Sequence, residues 1–157
     1  MRTRDAFPAE ASYLSALAIR SKATWGYSAE FMSACLHELT ILPESIDSDD
    51  AHYVVALVDE AVVGYYSLEA MLGGEIDLSG LFVDPDHIGT GIGKALIEKA
   101  KCHAASLGAV KINIQSDPHA EHFYRAAGGL ITGRQESGSI SGRYLPMLQI
   151  NLSDHAS

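Results

Sequence analysis

Cysteine, tryptophan and positive charge are scarce in this sequence, and each scarcity narrows what the chain can be. Two cysteines, Cys35 and Cys102, cannot build a disulfide framework and stand in no metal-ligand spacing. Both are expected to be reduced, buried thiols of a cytosolic protein. Eleven Lys and Arg face twenty Asp and Glu, for a net charge of −9, so the basic stripe needed for nucleic-acid binding is missing. An acidic field would instead attract cationic amines. No apolar run approaches the ~18 residues of a membrane-spanning helix. The opening Met1-Arg2-Thr3-Arg4-Asp5 leads into none of the apolar stretch of a secretory signal. A cytoplasmic protein with no membrane or nucleic-acid partner is therefore expected. His119 and His122 stand three apart, but no further ligand completes a set, so no metal is expected. The hydrolase patterns Gly-x-Ser-x-Gly and Ser-x-x-Lys are absent as well.

What is present is an ordinary globular balance, with 47% hydrophobic and 20% charged residues over 157 positions, enough for one domain spanning 1–157. The spacing of Ala11, Leu14, Leu17 and Ala18 predicts a helix over 8–23. Trp25-Gly26-Tyr27 breaks it, and Ser28 is placed to cap a second helix ending near Leu39. Residues 43–50 are acidic and read as a loop. The period then changes to two, predicting strands at 53–58, 62–68 and 75–83 joined by turns. A helix follows from Gly91 to a stop at Gly108, then a strand at 110–115, a short helix at 118–127, and strands at 130–134 and 144–152. The order predicts a mixed α/β domain, its central sheet of six to seven strands flanked by about four helices.

One loop carries a chemical signal. Ile88-Gly89-Thr90-Gly91-Ile92-Gly93-Lys94 joins a strand to a helix, and glycine at alternate positions lets the backbone curl. The curled amides and the first N–H groups of the helix then converge on a spot that favours an anion. A dinucleotide fingerprint would need glycine where Lys94 stands. A Walker loop would need glycine at Ile88 and Ser or Thr at Ala95. Neither pattern fits.

A strand, Val83-Asp84-Pro85 and then Gly-x-Gly-x-Gly opening an amphipathic helix resembles the acetyl-CoA motif of the GNAT superfamily of N-acetyltransferases. In that family the loop is Gln/Arg-x-x-Gly-x-Gly/Ala, and it corresponds here to 88–93, with Ile88 in the Gln/Arg position. A second segment, Asp117-Pro118-His119-Ala120-Glu121-His122-Phe123-Tyr124 followed by Gly128, is similar to the family's Asn-x-x-Ala-x-x-x-Tyr, with Asp117 for Asn.

The resemblance implies a GNAT fold and acetyl transfer from coenzyme A to a primary amine, by direct transfer in a ternary complex. Acetyl-CoA would be a co-substrate whose pyrophosphate meets the amides of 88–94, with Asp117 and Tyr124 lining its path. Its pantetheine arm would pair with the main chain of Leu81, Phe82 and Val83. Tyr124 would protonate the thiolate. Asp77, on the strand face shared by alternation with Glu75, Ser79, Leu81 and Val83, is the candidate base. Either acidic residue could equally be a solvated charge.

The acceptor would be a small-molecule or peptide amine, walled by the region of Trp25 to Tyr27 and by the serine-rich stretch 137–143. Family members often dimerise, so a homodimer stands open. A non-catalytic CoA-binding or sensor domain on the same fold is the alternative.

Overall fold

In the computed structural model, which describes residues 1–152, the period-two stretches join into one seven-stranded sheet. The last five residues of the expected 1–157 span lie outside the described residues. Chain order runs β1 (Arg2–Asp5), α1 (Ala11–Ala23), α2 (Ala29–Leu39), α3 (Pro43–Ile46), β2 (Ala51–Val58), β3 (Ala61–Leu72) and β4 (Glu75–Val83). It continues with α4 (Ile92–Ser106), β5 (Lys111–Gln115), α5 (Glu121–Ala126), β6 (Gly129–Glu136) and β7 (Tyr144–Asn151). The sheet order is β1-β2-β3-β4-β5-β7-β6. Every neighbouring pair is antiparallel except β4 with β5.

The mixed α/β architecture agrees with the expectation, and two elements add to it. β1 is short and charged, as edge strands tend to be, and its period is too brief to read. It pairs with β2 from Arg2↔Leu57 to Asp5↔Val54. The stretch expected as a loop at 43–50 contains the single turn α3, opened by Pro43 in the first turn, where a missing N–H is harmless. Ser28 caps α2 as its position suggests, accepting the Phe31 N–H at 3.1 Å.

The helices cover the two faces of the sheet. On one face α4 sets Ile92, Leu96 and Ala100 against Val63, Leu68, Ile112 and Ile114. On the other, Leu14, Leu17 and Ala18 of α1 and Cys35 and Leu39 of α2 pack on Val55, Leu57 and Tyr65. Burial of each Leu or Ile stabilises the fold by about 1.5–3 kcal/mol before entropy is counted. Cys35 is in this core, but Cys102 is exposed on α4, against the expectation that both thiols are buried.

A bulge in β4 places the site. Ser67 pairs with Gly80 and Leu68 with Leu78, which leaves Ser79 extra. Its hydroxyl lies 2.6 Å from that of Ser67. A bulge bends and twists its strand, and this one lies two residues past the last pairing of β4 with β5. Their parallel pairing runs from Glu75↔Lys111 to Asp77↔Asn113 and stops. The end of β5 continues with β7 alone, Gln115 opposite Met147.

The bulge also corrects the face assignment of β4. Leu81 and Val83 join Ile76 and Leu78 on the α4 side, whereas Phe82 joins the α1–α2 core. Simple alternation grouped Asp77 with Leu81 and Val83, and the extra residue breaks that parity.

Gly64 marks how tightly α4 sits on β3. A Cβ there would stand 2.9 Å from the Phe82 carbonyl oxygen and 3.1 Å from Cδ1 of Leu96. Gly64→Val is expected to destabilise the fold by about 1–3 kcal/mol, measured by urea unfolding. An unchanged midpoint would show that α4 can shift to accommodate it.

Candidate active site

The glycine loop follows β4 across a short 3-10 turn at Pro85–His87. Asp84 caps that turn, accepting the Asp86 N–H at 3.0 Å, and is held to α1 by Arg20 at 2.9 Å. Gly89 and Gly91 have φ of +85° and +89°, a region that other residues enter only with strain. Two of the loop's amides turn inward: Ile88 N–H reaches the Pro85 carbonyl at 3.4 Å and Thr90 N–H the His87 carbonyl at 3.3 Å. The Ile88 amide, expected to serve an anion, is therefore engaged within the loop.

The first bond into α4 runs from Ala95 N–H to the Gly91 carbonyl at 3.0 Å. The N–H groups of Gly89, Gly91, Ile92, Gly93 and Lys94 have no partner among the described residues. Those of the first helical turn add the positive end of the α4 dipole. This is a cradle for a doubly charged anion such as a pyrophosphate.

The gap between β4 and β5 opens beside that cradle. It forms a cleft of about 1060 Å³ reaching from Gly89, Gly91, Gly93 and Lys94 past Leu81, Phe82 and Val83 to Asp77 and Tyr124. One edge of β4 at 80–83 pairs with β3. The other faces the cleft without a strand, as an extended ligand segment requires.

Tyr124 on α5 lines this cleft and is otherwise buried, with Phe123 edge-on at 5.1 Å between ring centres. Burial drives its phenol well above the usual range, so the proton stays on oxygen at neutral pH. Among the described residues its hydroxyl takes no hydrogen bond, which leaves it free to donate.

Asp77 opens into the same cleft from the β3–β4 pairing, opposite Glu69. Partial desolvation raises its carboxyl above the ordinary range, the Asn113 amide pulls it down, and the negative charge of Glu75 raises it further. Asn113 is itself fixed: its amide donates to Glu75 at 3.0 Å, and its carbonyl accepts from Gln149 at 2.8 Å.

Asp117 lines the same cleft, but its oxygens are already engaged by the protein. Its side chain is only 8% exposed and is surrounded by donors. The Tyr27 hydroxyl reaches both oxygens at 3.0 and 2.8 Å, the His119 N–H and Nδ1 lie at 2.8 and 2.9 Å, and Arg143 donates at 3.2 Å. Lys22 adds a longer ion pair at 3.8 Å. Trp25 stacks on the His119 ring at 5.4 Å, and Tyr27 on Phe31 at 4.0 Å. Trp25 thus borders the cleft while Tyr27 is packed beneath.

Lys22, Tyr27 and Arg143 carried no motif. Tyr27 and Arg143 fall in the two connections expected to wall an acceptor, whereas Lys22 lies in the last turn of α1 and has no sequence signal.

Comparison with known proteins agrees with this geometry. Residues 10–136 match the family model of the acetyltransferase (GNAT) domain. Over 80 residues the chain is 35% identical to the peptidyl-lysine N-acetyltransferase YjaB of Escherichia coli (strain K12), covering 51% of this chain and 52% of that protein. The protein of the same name from Salmonella typhimurium is 39% identical over 80 residues, with the same coverage. The match thus spans about half the length of these curated relatives.

The fold is shared with the PaiA N-acetyltransferase of Thermoplasma acidophilum, solved with coenzyme A. Their TM-score is 0.74 at 17% identity, over 96% of this chain and 98% of that one. An aminoglycoside 6′-N-acetyltransferase, also complexed with coenzyme A, superposes with a TM-score of 0.73 at 17% identity over 97% of both chains.

The Asp117 cluster also sets an acid limit on stability. Although burial opposes it, the donors around Asp117 hold its carboxyl below the usual range, so its contribution is present above the unfolded value and is lost as pH falls through the folded one. Asp117→Asn should cost about 1–3 kcal/mol at pH 7. The difference from the parent chain should shrink below about pH 4, as followed by urea unfolding at several pH values. A gap that does not change with pH would show that the charge contributes nothing.

Proposed function

The chain belongs to the GNAT acetyltransferase family, and from that premise we propose that it moves an acetyl group from acetyl-CoA to a primary amine. The observation that carries this reading is the joining of two features in one cleft. A pyrophosphate cradle of unpaired amides at the start of α4 runs directly into a bare strand edge ending between Tyr124 and Asp77. The lysyl side chain of a peptide is the first acceptor to test, since it is the group named for the relatives from Escherichia coli and Salmonella typhimurium. The net charge of −9 suits a cationic acceptor.

The residues divide the work by their surroundings. The amides of Gly89, Gly91, Ile92, Gly93 and Lys94 hold the pyrophosphate, which makes the unusual Ile88 tolerable because its side chain is not needed. The main chain of Leu81, Phe82 and Val83 pairs with the pantetheine arm and sets its depth. When bound, acetyl-CoA supplies an activated acyl carbon joined to a good leaving sulfur.

Asp77 takes one proton from the acceptor ammonium, directly or through water, freeing the nitrogen lone pair to attack the acyl carbon. As the carbon–sulfur bond breaks, Tyr124 gives its proton to the sulfur. The proton then lost by the new amide nitrogen returns Tyr124 to its starting state, and Asp77 gives up its proton to solvent. Direct transfer needs both substrates together, and no residue of the cleft is needed as a covalent carrier.

Two substitutions separate these roles. Tyr124→Phe should lower kcat by about 10²-fold or more while the affinity for CoA, measured by calorimetry, stays within about threefold. Near-normal turnover would remove Tyr124 as the acid. Asp77→Asn should abolish the rising limb of the pH–rate profile. In the parent chain that limb should lie above the ordinary aspartate range, because folding raises the Asp77 pKa. An unaltered limb would assign the base elsewhere.

A further inference from the structure

Asp117 carries more structure than its place in a cofactor motif accounts for. A carboxylate offers about four acceptor positions, and this one is used by the Tyr27 hydroxyl, the His119 backbone and ring nitrogens, and Arg143. Nothing is left over for a ligand donor. His119 belongs to the segment of Asp117 itself, but Tyr27 and Arg143 come from two separate connections on the side of the sheet covered by α1 and α2. Tyr27 lies between α1 and α2. Arg143 ends the link from β6 to β7.

That link is closed on itself by short-range bonds. Ser137 N–H donates to the Arg143 carbonyl at 2.7 Å and Arg143 N–H to the Ile140 carbonyl at 3.3 Å. The Ser137 hydroxyl accepts the N–H groups of Ser139 and Ile140 at 3.2 and 3.1 Å, and Glu136 accepts that of Gly142 at 2.8 Å. Across to the rest of the protein it is anchored by Ile140, packed on the α1–α2 core, and by Arg143. The Arg143 guanidinium donates to the Tyr27 hydroxyl at 2.7 Å and lies over the Phe31 ring at 4.8 Å. The result is a continuous wall on the cleft, made of Trp25, His119 and Arg143 and joined behind by Asp117.

We propose that Asp117 is a positioning residue for the acceptor: its carboxylate latches the α1–α2 and β6–β7 connections into one wall and so sets affinity for the amine substrate rather than for CoA. The inference rests on the acetyltransferase reading for its substrate, while the latch itself is independent of turnover. Asparagine at 117 keeps one oxygen for the His119 N–H. Its amide nitrogen, however, would face the donors of Tyr27 and Arg143. Asp117→Asn therefore opens the latch with little change in shape.

The test uses Asp117→Asn, Arg143→Gln and the double variant, with a lysine-containing peptide as acceptor. Each single change should raise KM for the peptide about tenfold while kcat and the calorimetric Kd for CoA stay within about threefold. Hydrogen exchange of the amides at 137–143 should quicken about tenfold in each. The double variant should be little worse than either single one, because both break one contact.

The proposal is overturned by weaker CoA binding with an unchanged peptide KM, by exchange at 137–143 that does not alter, or by effects that simply add. Were the parent chain to acetylate no amine, the proposed activity would fall, and the exchange measurement would still decide the latch.

Discussion

The parallel pairing of β4 with β5 lasts three residues, and the rest of the site depends on its ending there. In a closed sheet the main chain of Leu81 to Val83 would be spent on a neighbouring strand. Past Asp77, β4 instead bulges at Ser79, and the last residues of β5 keep only the partner they have on their other edge, β7. What remains is a strand edge with free main-chain groups at the bottom of a cleft, where water or an extended ligand must satisfy them. Two short segments meet at the mouth of this opening. The glycine loop leads from β4 into α4, and the residues from Asp117 lead from β5 into α5. Each brings the start of a helix to the opening.

The cleft's electrostatics follow from what each group touches. Tyr124 is nearly buried among apolar neighbours and so keeps its proton, the state required of an acid. Asp77 sits where desolvation and Glu75 favour taking one up. Asp117, of the same residue type, is bound by donors on every side and stays charged. Two aspartates that look alike in a sequence are thus driven in opposite directions. The difference is the number of hydrogen-bond donors that the fold brings to each. From Ile88 to Gly93 the glycine loop carries no side-chain charge, so what it offers an anion is backbone amides.

Much of the architecture could be read beforehand because it is local. The stripe of Ala11, Leu14, Leu17 and Ala18, the cap at Ser28 and the period-two runs after residue 50 depend on neighbours along the chain. β1 escaped because four polar edge residues have no burial pattern to display, and α3 because one turn has no period. The error over β4 was of another kind. Its alternation is regular in sequence, and only the pairing with β3 reveals that Ser79 is an extra residue. Cys102 was misjudged for a similar reason, since the exposed side of a helix is set by what covers it.

The site divides in the same way. Gly89, Gly91 and Gly93 and the spacing from Asp117 to Tyr124 are written in the chain, because left-handed backbone and helix starts are short-range requirements. The sequence alone therefore determined the family resemblance, the anion cradle and the candidate acid. Tertiary structure decided that Asp77 and Phe82 lie on the face opposite Leu81 and Val83, and that Asp117 meets Tyr27, Lys22 and Arg143. The Asp117–Tyr27 contact joins residues 90 positions apart, and the Arg143–Tyr27 bond beside it residues 116 apart. Such meetings have no trace in local spacing, because they exist only once two sheet faces and the connections between them have been packed together.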